Sequence, residues 1–214
     1  MNITDKLTIT CEDNMGLMAR YPDKYFDLAI VDPPYGIGQN GGKSIGLRKK
    51  WKTSYEKEKH LIKEWDLTPD QSFFNELERV SKKRIIWGSN YFHLPPTKGI
   101  IAWDKVCDGT DFSHFELAWS NFDKSANICR IPIQKESQRR IHPTQKPVQL
   151  YKWLLDKYAK EGDKILDTHL GSASLALACH DNGFELTACE LDEDYYNAAI
   201  ERVKNHVSQL SIFQ

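Results

Sequence analysis

A stiff turn of unusual composition follows an apolar run in the first part of the chain. Residues 27–31 read Asp-Leu-Ala-Ile-Val, and the next four are Asp32, Pro33, Pro34 and Tyr35. Proline fixes φ and has no backbone N–H, so the carbonyl groups of this turn are available as acceptors. A carboxylate, a carbonyl and an aromatic ring suit a planar amino group, which donates two hydrogen bonds while its ring is stacked. The segment therefore predicts a site for an aromatic amine; the alternative is an ordinary strand-end turn with an exposed acid.

A second candidate site combines a loop of small residues with two acids. A strand-like run ends in Asp167, and Gly171 and Ser172 lie in the loop before a helical run, where a ligand can approach the backbone. Glu190 ends another strand-like run 23 residues later, a spacing suited to ribose hydroxyls. Neither G-x-G-x-x-G nor G-x-x-x-x-G-K-[ST] occurs. The loop predicts a nucleoside-containing cofactor and gives no support to phosphoryl transfer.

A third segment carries polar side chains just before a helix that begins at Pro147. It reads Ile-His-Pro-Thr-Gln-Lys over residues 141–146, with His142, Thr144 and Lys146 as candidate ligands. Alone, the segment is equally typical of an extended approach to a helix. Beside the other two segments, it predicts polar ligands for a charged end of the cofactor.

Alternating strands and helices are needed to bring these segments together. Strand-like runs cover 7–10, 27–31, 84–87, 99–103, 115–119, 164–167 and 184–190, and helical runs cover 68–81, 147–158, 172–181 and 192–206. Several strand runs are continuously apolar, as expected of strands covered on both faces. The order predicts a mostly parallel α/β sheet with helices on both faces and a ligand at the carboxyl ends of its strands.

The composition is typical of a single domain over residues 1–214 that works in the cytoplasm. The chain has 214 residues, is 40% hydrophobic and 11% aromatic, and contains five cysteines without a C-x-x-C pair, so we expect reduced thiols and no metal site. Its apolar runs are too short to span a membrane, and its first residues lack a signal-peptide pattern.

The formal net charge of −1 hides a strong segregation of charge. Residues 41–65 hold eight basic and three acidic side chains, and residues 124–146 hold six basic and one acidic. Residues 181–201 hold seven acids and no Lys or Arg. Segregated charge permits a polyanionic partner despite the neutral total, although solvated loops produce such runs as well.

Taken together, the three segments resemble those of amino-group DNA methyltransferases that use S-adenosylmethionine. The order of the segments, with Asp-Pro-Pro-Tyr before the cofactor loop, resembles the β arrangement of that superfamily, in the short form often seen in phage and prophage proteins. The resemblance covers the chain from Asp13 to Glu190. It implies a Rossmann-like methyltransferase sheet of seven strands, with the 7–10 strand beside the 184–190 strand, and it fits a restriction–modification or phage setting.

The resemblance also implies a role for each candidate residue. The catalytic residues would be Asp32, Pro33, Pro34 and Tyr35. Asp167, Gly171 and Ser172 would line the methionine part of the cofactor, Glu190 its ribose and Asp13 its adenine, with His142, Thr144 and Lys146 near its carboxylate. The activity would be methyl transfer to the exocyclic N6 of an adenine flipped out of double-stranded DNA.

DNA contact is expected from two insertions, residues 38–65 and 104–141. The candidate phosphate ligands are Lys43, Arg48, Lys49, Lys50, Lys52, Arg139 and Arg140. Because 214 residues leave little room for a separate recognition domain, we expect a short or relaxed recognition sequence, or help from a second subunit in a homodimer.

The cofactor loop departs from the pattern of the family at Ala173. If that position needs a positive φ or a close cofactor approach, a Cβ there weakens binding. Three alternatives stay open: methylation of cytosine N4, which is the same chemistry on a similar amine, methylation of RNA, and a non-catalytic nucleic-acid-binding relative that has lost cofactor affinity.

Overall fold

One mixed sheet runs through the part of the chain that the structure, a computed structural model, describes: residues 2–36, 67–107, 113–133, 141–142 and 144–210. Its strand order is β1-β2-β9-β8-β3-β4-β6-β5-β7. The strands are β1 (Asn2–Thr4), β2 (Leu7–Cys11), β3 (Phe26–Val31), β4 (Ser81–Trp87), β5 (Ile101–Asp104), β6 (Phe115–Ser120), β7 (Asn127–Arg130), β8 (Lys164–Asp167) and β9 (Glu185–Glu190).

The predicted fold class is confirmed, with two strands more than predicted. All seven predicted runs are strands, and the additional β1 and β7 lie at the two edges of the sheet. Strands β2, β9, β8, β3 and β4 are parallel neighbours, which includes the predicted pairing of β2 with β9. Strand β6 runs antiparallel between β4 and β5. The predicted insertion 104–141 thus contains two strands of the sheet, β6 and β7, besides loops.

Helices cover both faces of the sheet. They are α1 (Asn14–Ala19), α2 (Gln71–Val80), α3 (Val148–Tyr158), α4 (Ser174–Asn182) and α5 (Glu193–Leu210). One buried apolar cluster joins the sheet to α3, α4 and α5, and a second joins it to α1 and α2. Because helices bury both faces, the central strands read as continuous apolar runs.

Local chemistry sets the ends of the helices. Helix α2 begins at Gln71, later than predicted, because the Asp70 side chain accepts a hydrogen bond from the Ser72 backbone N–H over 2.8 Å and caps the helix. Helix α4 ends at Asn182, and the left-handed backbone of the following Gly183 (φ +75°) matches the predicted C-terminal signal. The carboxyl ends of β8, β9, β2 and β3 lie along one edge of the sheet, which is where the three candidate segments meet.

Candidate active site

The turn of residues 32–35, which is predicted to be catalytic and is named the catalytic turn for that reason, leaves the middle of the sheet at the carboxyl end of β3. Strand β3 lies between β8 and β4, parallel to both, so Asp32 emerges between two buried strands. Tyr35 Oη donates a hydrogen bond to Asp32 Oδ1 over 2.6 Å. The Tyr35 ring is stacked on Tyr91 with a centroid distance of 4.8 Å and an interplanar angle of 16°. The Asp32 carboxylate is therefore held by the Tyr35 side chain of its own turn.

Lys146 reaches the catalytic carboxylate rather than lying apart from it. Its side chain is 3% exposed, and its Nζ donates to Asp32 Oδ2 over 2.5 Å and to Tyr35 Oη over 3.3 Å. Burial alone would lower the pKa of Lys146, but the carboxylates of Asp32 and Glu116 raise it above its usual range. The ammonium therefore stays positively charged beside the catalytic turn. The sequence analysis expected Lys146 near the cofactor carboxylate, and the structure adds this contact with Asp32.

Two charged residues that sequence reasoning missed continue this network. Glu116 on β6 lies with Oε2 3.1 Å from Lys146 Nζ and with Oε1 2.7 Å from Lys105 Nζ. Burial raises the pKa of Glu116, but the two lysines lower it by more, so its pKa lies below the usual range. The signal in the sequence is an acid inside the apolar run of residues 115–119, which is costly to bury unless it is paired.

The cofactor loop is tied to the acid at the end of β9. Glu190 Oε2 accepts a hydrogen bond from the Gly171 backbone N–H over 2.9 Å, and its Oε1 accepts from the Asp192 N–H over 3.0 Å. Burial raises the pKa of Glu190. Gly171 has φ +51°, and a Cβ there would meet only the His142 ring, 3.8 Å away. Lone pairs remain on the Glu190 carboxylate for hydroxyl donors.

Ala173 occupies the position in this loop where the sequence left open a positive φ or a close approach of the cofactor. Its φ is +60°, so the position does need a left-handed backbone, and helix α4 begins only at Ser174. Ala173 is fully buried in the apolar core, and it is not among the residues that line the cavity. The Cβ therefore points into the core rather than at the cofactor.

Asp167 lies below the loop, in the interior. Its side chain is 5% exposed, and Oδ1 accepts a hydrogen bond from the His169 backbone N–H over 3.0 Å. Burial raises the pKa of Asp167 to about 7, with Asp32 and Glu190 contributing in the same direction. Asp167 is not among the lining residues, so its geometry supports a role in holding the loop, while direct cofactor contact stays a prediction.

Two half-buried imidazoles flank the cofactor loop. Nδ1 of His142 lies 3.0 Å from Thr144 Oγ1, and its ring packs against Tyr195 at 4.4 Å. His169, which sequence reasoning did not assign to the site, has Nε2 3.2 Å from Asn14 Nδ2. Burial lowers the pKa of each histidine to about 4. Both rings are therefore neutral at physiological pH.

Asp13 has a structural contact that the sequence analysis did not predict. Its Oδ1 accepts hydrogen bonds from the backbone N–H groups of Met15, over 2.9 Å, and Gly16, over 3.1 Å, and caps helix α1. Its neighbours Glu12, Asn14 and Met15 line the cavity, whereas Asp13 itself does not. Its expected contact with the cofactor adenine stays a prediction.

A cavity of about 420 Å³ joins the catalytic turn to the cofactor loop. Ten of the predicted site residues line it, namely Asp32, Pro33, Pro34, Tyr35, His142, Thr144, Lys146, Gly171, Ser172 and Glu190. Side chains from the start of α2, including Phe73, form another wall. Glu190, an acceptor suited to hydroxyl groups, and Asp32, an acceptor suited to an amine, thus line the same cavity.

The predicted DNA contacts fall outside the described residues. Lys43, Arg48, Lys49, Lys50, Lys52, Arg139 and Arg140 all lie there, together with the whole of the insertion 38–65. Within the described parts of the chain, no helix is both long and apolar enough to cross a membrane. In the same parts, no group of three or more His, Cys, Asp or Glu side chains is arranged to hold a metal ion.

Comparison with known proteins decides the family. A family model described as DNA methylase, with the short name N6_N4_Mtase, matches residues 48–201. The chain belongs to the N6/N4 DNA methylase family. This methylase is 25% identical over 215 residues to the putative methylase YubD of Escherichia coli (strain K12), covering 89% of this chain and 87% of that one. It is 22% identical over 249 residues to the type II methyltransferase M2.DpnII of Streptococcus pneumoniae, covering 94% and 90%.

Solved structures of methyltransferases share the fold of this methylase. The M1.HpyAVI–SAM complex has a TM-score of 0.58 at 18% identity and covers 92% of this chain and 99% of its own. The PvuII cytosine-N4-specific DNA methyltransferase has a TM-score of 0.59 at 10% identity and covers 97% and 93%. The first of these structures is, by its title, a complex with SAM (S-adenosylmethionine), the cofactor that the sequence motifs imply for this chain. The site fits that cofactor, because Glu190 offers a half-buried acceptor beside a loop that stays open at Gly171.

Proposed function

We propose that this methylase transfers a methyl group to the exocyclic N6 of an adenine flipped out of double-stranded DNA. The observation that carries the proposal is the shared cavity, in which the Asp32 turn faces the loop at Gly171 and the Glu190 carboxylate that binds it. An amine bound at the turn and a cofactor held at the loop would be reactants in one enclosed space. Holding two reactants in this way accounts for much of the acceleration that an enzyme needs.

The chain's own residues would orient the amine. The Asp32 carboxylate and the Pro33 carbonyl accept the two N–H donors, so that the nitrogen lone pair faces the methyl donor. When bound, S-adenosylmethionine supplies an electrophilic methyl group on a sulfonium sulfur. Glu190 would bind the ribose, and Gly171, Ser172, His142 and Thr144 would enclose the rest of the cofactor.

Asp32 acts as a hydrogen-bond acceptor rather than as a strong base in this proposal. Tyr35 and Lys146 each donate to one of its oxygens, and the ammonium balances its charge. Such a carboxylate holds a partially positive amine well without taking its proton early. Tyr35 contributes by fixing Asp32, and its ring is available at the same turn for contact with the base.

Cytosine N4 is the second candidate target. The likeness to the PvuII enzyme, whose name states cytosine-N4 specificity, supports it, because that structure has the same fold over 97% of this chain. The two targets are separated by expressing the protein in a methylation-deficient host and mapping modified bases by single-molecule sequencing. Modified adenine supports the proposal, and modified cytosine alone replaces it with the second candidate.

The activity itself is tested by the change Asp32→Ala. We expect loss of methylation of host DNA by at least about 100-fold, with S-adenosylmethionine affinity unchanged in calorimetry, because the amine loses its acceptor while the cofactor loop is intact. Asp123→Ala is the control, since Asp123 forms an exposed ion pair with Lys98. An Asp32→Ala protein that methylates at the wild-type rate would falsify the site. Absence of S-adenosylmethionine binding by the wild type would favour the non-catalytic alternative.

Double-stranded DNA is the proposed partner, and the two basic stretches are the proposed phosphate contacts. A homodimer, a cytoplasmic location and a restriction–modification or phage setting stay predictions from the sequence. Size-exclusion chromatography with light scattering, with and without a DNA duplex, tests the dimer.

A further inference from the structure

Four charged side chains of alternating sign form a line from the catalytic turn into the sheet. Asp32 contacts Lys146, Lys146 contacts Glu116, and Glu116 contacts Lys105, with distances of 2.5, 3.1 and 2.7 Å between charged atoms. Lys146 is the most buried member, and Lys105 is also buried. Of these four side chains, Asp32 and Lys146 line the cavity, so Glu116 and Lys105 lie behind them.

Glu116 is held in this line by charge. Its Oε2 is inaccessible to solvent and, within the described residues, makes no hydrogen bond of acceptable geometry, although it lies 3.1 Å from the Lys146 ammonium. The side chain as a whole is 25% exposed, but withdrawing this one oxygen from water carries a free-energy cost that nearby cations must offset. An apolar side chain on β6 would satisfy the fold at lower cost, so the position of this acid calls for a reason outside packing.

The reason lies in the geometry of the Lys146 ammonium. With Glu116 on one side and Asp32 on the other, the ammonium is drawn in two directions and rests between them. Its Nζ also lies 3.3 Å from Tyr35 Oη, so its position affects both groups of the catalytic turn. Without Glu116, the ammonium would keep Asp32 as its one anionic partner among the described residues. It would then shift toward Asp32 and cover lone pairs that the target amine needs.

We propose that Glu116 is a positioning residue for methyl transfer, which holds Lys146 so that the Asp32 carboxylate stays oriented and open to the target amine. Lys105 supports it from behind by fixing the other carboxylate oxygen of Glu116. The proposal rests on the proposed role of Asp32 as the acceptor for the amine. It adds a residue from β6 to a site otherwise built from β3, the cofactor loops and the approach to α3.

The test is the isosteric change Glu116→Gln, which removes the charge and keeps the shape. We expect kcat on DNA from a methylation-deficient host to fall by about 10- to 100-fold, while S-adenosylmethionine affinity and DNA affinity stay within about twofold of the wild type. Glu116→Asp should recover part of the rate because it restores the charge. Glu76→Gln is the matched control, because Glu76 pairs with Arg79 at the protein surface.

A second readout does not depend on activity. The 15N resonance of the Lys146 ammonium, assigned by its loss in Lys146→Met, should shift in Glu116→Gln and stay unchanged in Glu76→Gln. If Glu116→Gln does not fold, Lys105→Gln replaces it, since Glu116 then keeps its charge but loses the support behind it. A reduced kcat with unchanged cofactor affinity is expected there too.

The outcomes separate this proposal from the one on which it rests. Inactive Asp32→Ala together with wild-type kcat in Glu116→Gln, or in Lys105→Gln where that variant replaces it, overturns the positioning role and leaves the site intact. Full activity in Asp32→Ala overturns both. A fall in melting temperature with parallel loss of cofactor affinity in Glu116→Gln assigns the residue to stability alone and also overturns the proposal.

Discussion

Ala173 shows how one residue can carry strain without touching the ligand. The left-handed backbone at φ +60° costs a non-glycine residue about 1–2 kcal/mol relative to a helical one. Against this, its buried methyl group contributes about 0.8 kcal/mol through burial, and glycine would add about 0.5–1 kcal/mol of backbone entropy cost. The opposing contributions are of similar size, which explains how alanine is tolerated where the family pattern has glycine.

We therefore expect Ala173→Gly to change the free energy of unfolding by less than about 1 kcal/mol and the S-adenosylmethionine dissociation constant by less than about twofold. Ala173→Val should lower stability by more than about 2 kcal/mol, because a β-branched residue is strained there and overfills the core. Urea denaturation and calorimetry measure both quantities. A large gain in cofactor affinity in Ala173→Gly would contradict the assignment of this Cβ to the core.

At the scale of elements, the end of β4 shapes the catalytic turn that follows β3. Gly88 directly follows β4 with φ +74°, and a Cβ there would overlap ring atoms of Tyr35. The 3-10 turn Ser89–Tyr91 then brings Tyr91 onto the face of the Tyr35 ring. The strand neighbouring β3 thus fixes the orientation of the turn that carries Asp32.

Gly88→Ala should lower both stability and activity. The left-handed backbone alone costs about 1–2 kcal/mol, and displacement of Tyr35 should add about 1–3 kcal/mol and reduce kcat by at least about 10-fold. Gly162→Ala is the matched control, because Gly162 has φ +85° but nothing within 4 Å of an added Cβ. Equal reductions of activity in the two variants, measured after correction for the folded fraction, would contradict the role of Gly88.

Which elements were predictable depended on their length and their apolar pattern. The seven predicted strands and four long helices carry patterns that extend over several residues. Strand β1 has only three residues, whereas β7 has four, as many as the predicted β5 and β8. Both β1 and β7 lie at the edges of the sheet, where few apolar side chains mark them. Helix α1 has six residues and is defined mainly by the Asp13 cap. The start of α4 was predicted two residues early because no local rule indicates a left-handed Ala173.

At the scale of the whole molecule, we expect the segregation of charge to determine which parts of the surface bind DNA. The chain is nearly neutral overall, with 29 basic and 30 acidic side chains, yet two of its stretches are strongly basic. Nucleic acid responds to the local field and releases counterions wherever a basic side chain neutralises a phosphate.

Replacing Arg48, Lys49 and Lys50 with alanine should weaken DNA binding and reduce the slope of log K against log salt by about 0.9 for each phosphate that is no longer neutralised. Lys82→Ala with Lys83→Ala is the control, because these lysines begin β4, at the edge of the sheet opposite the cavity. Fluorescence anisotropy across a salt series gives both slopes. An unchanged slope in the triple variant would remove residues 41–65 from the DNA interface.

The order of the main strands and helices, the fold class, the family resemblance and ten of the residues that line the cavity were predictable from the sequence. Local apolar runs and short motifs indicate these features, and each run or motif involves only a few neighbouring residues. The contact of Lys146 with Asp32, 114 residues away in the chain, and the position of Glu116 behind it follow only from the folded arrangement of the strands. That network exists because β6 runs antiparallel between β4 and β5, and a pairing between distant segments leaves no pattern in either one.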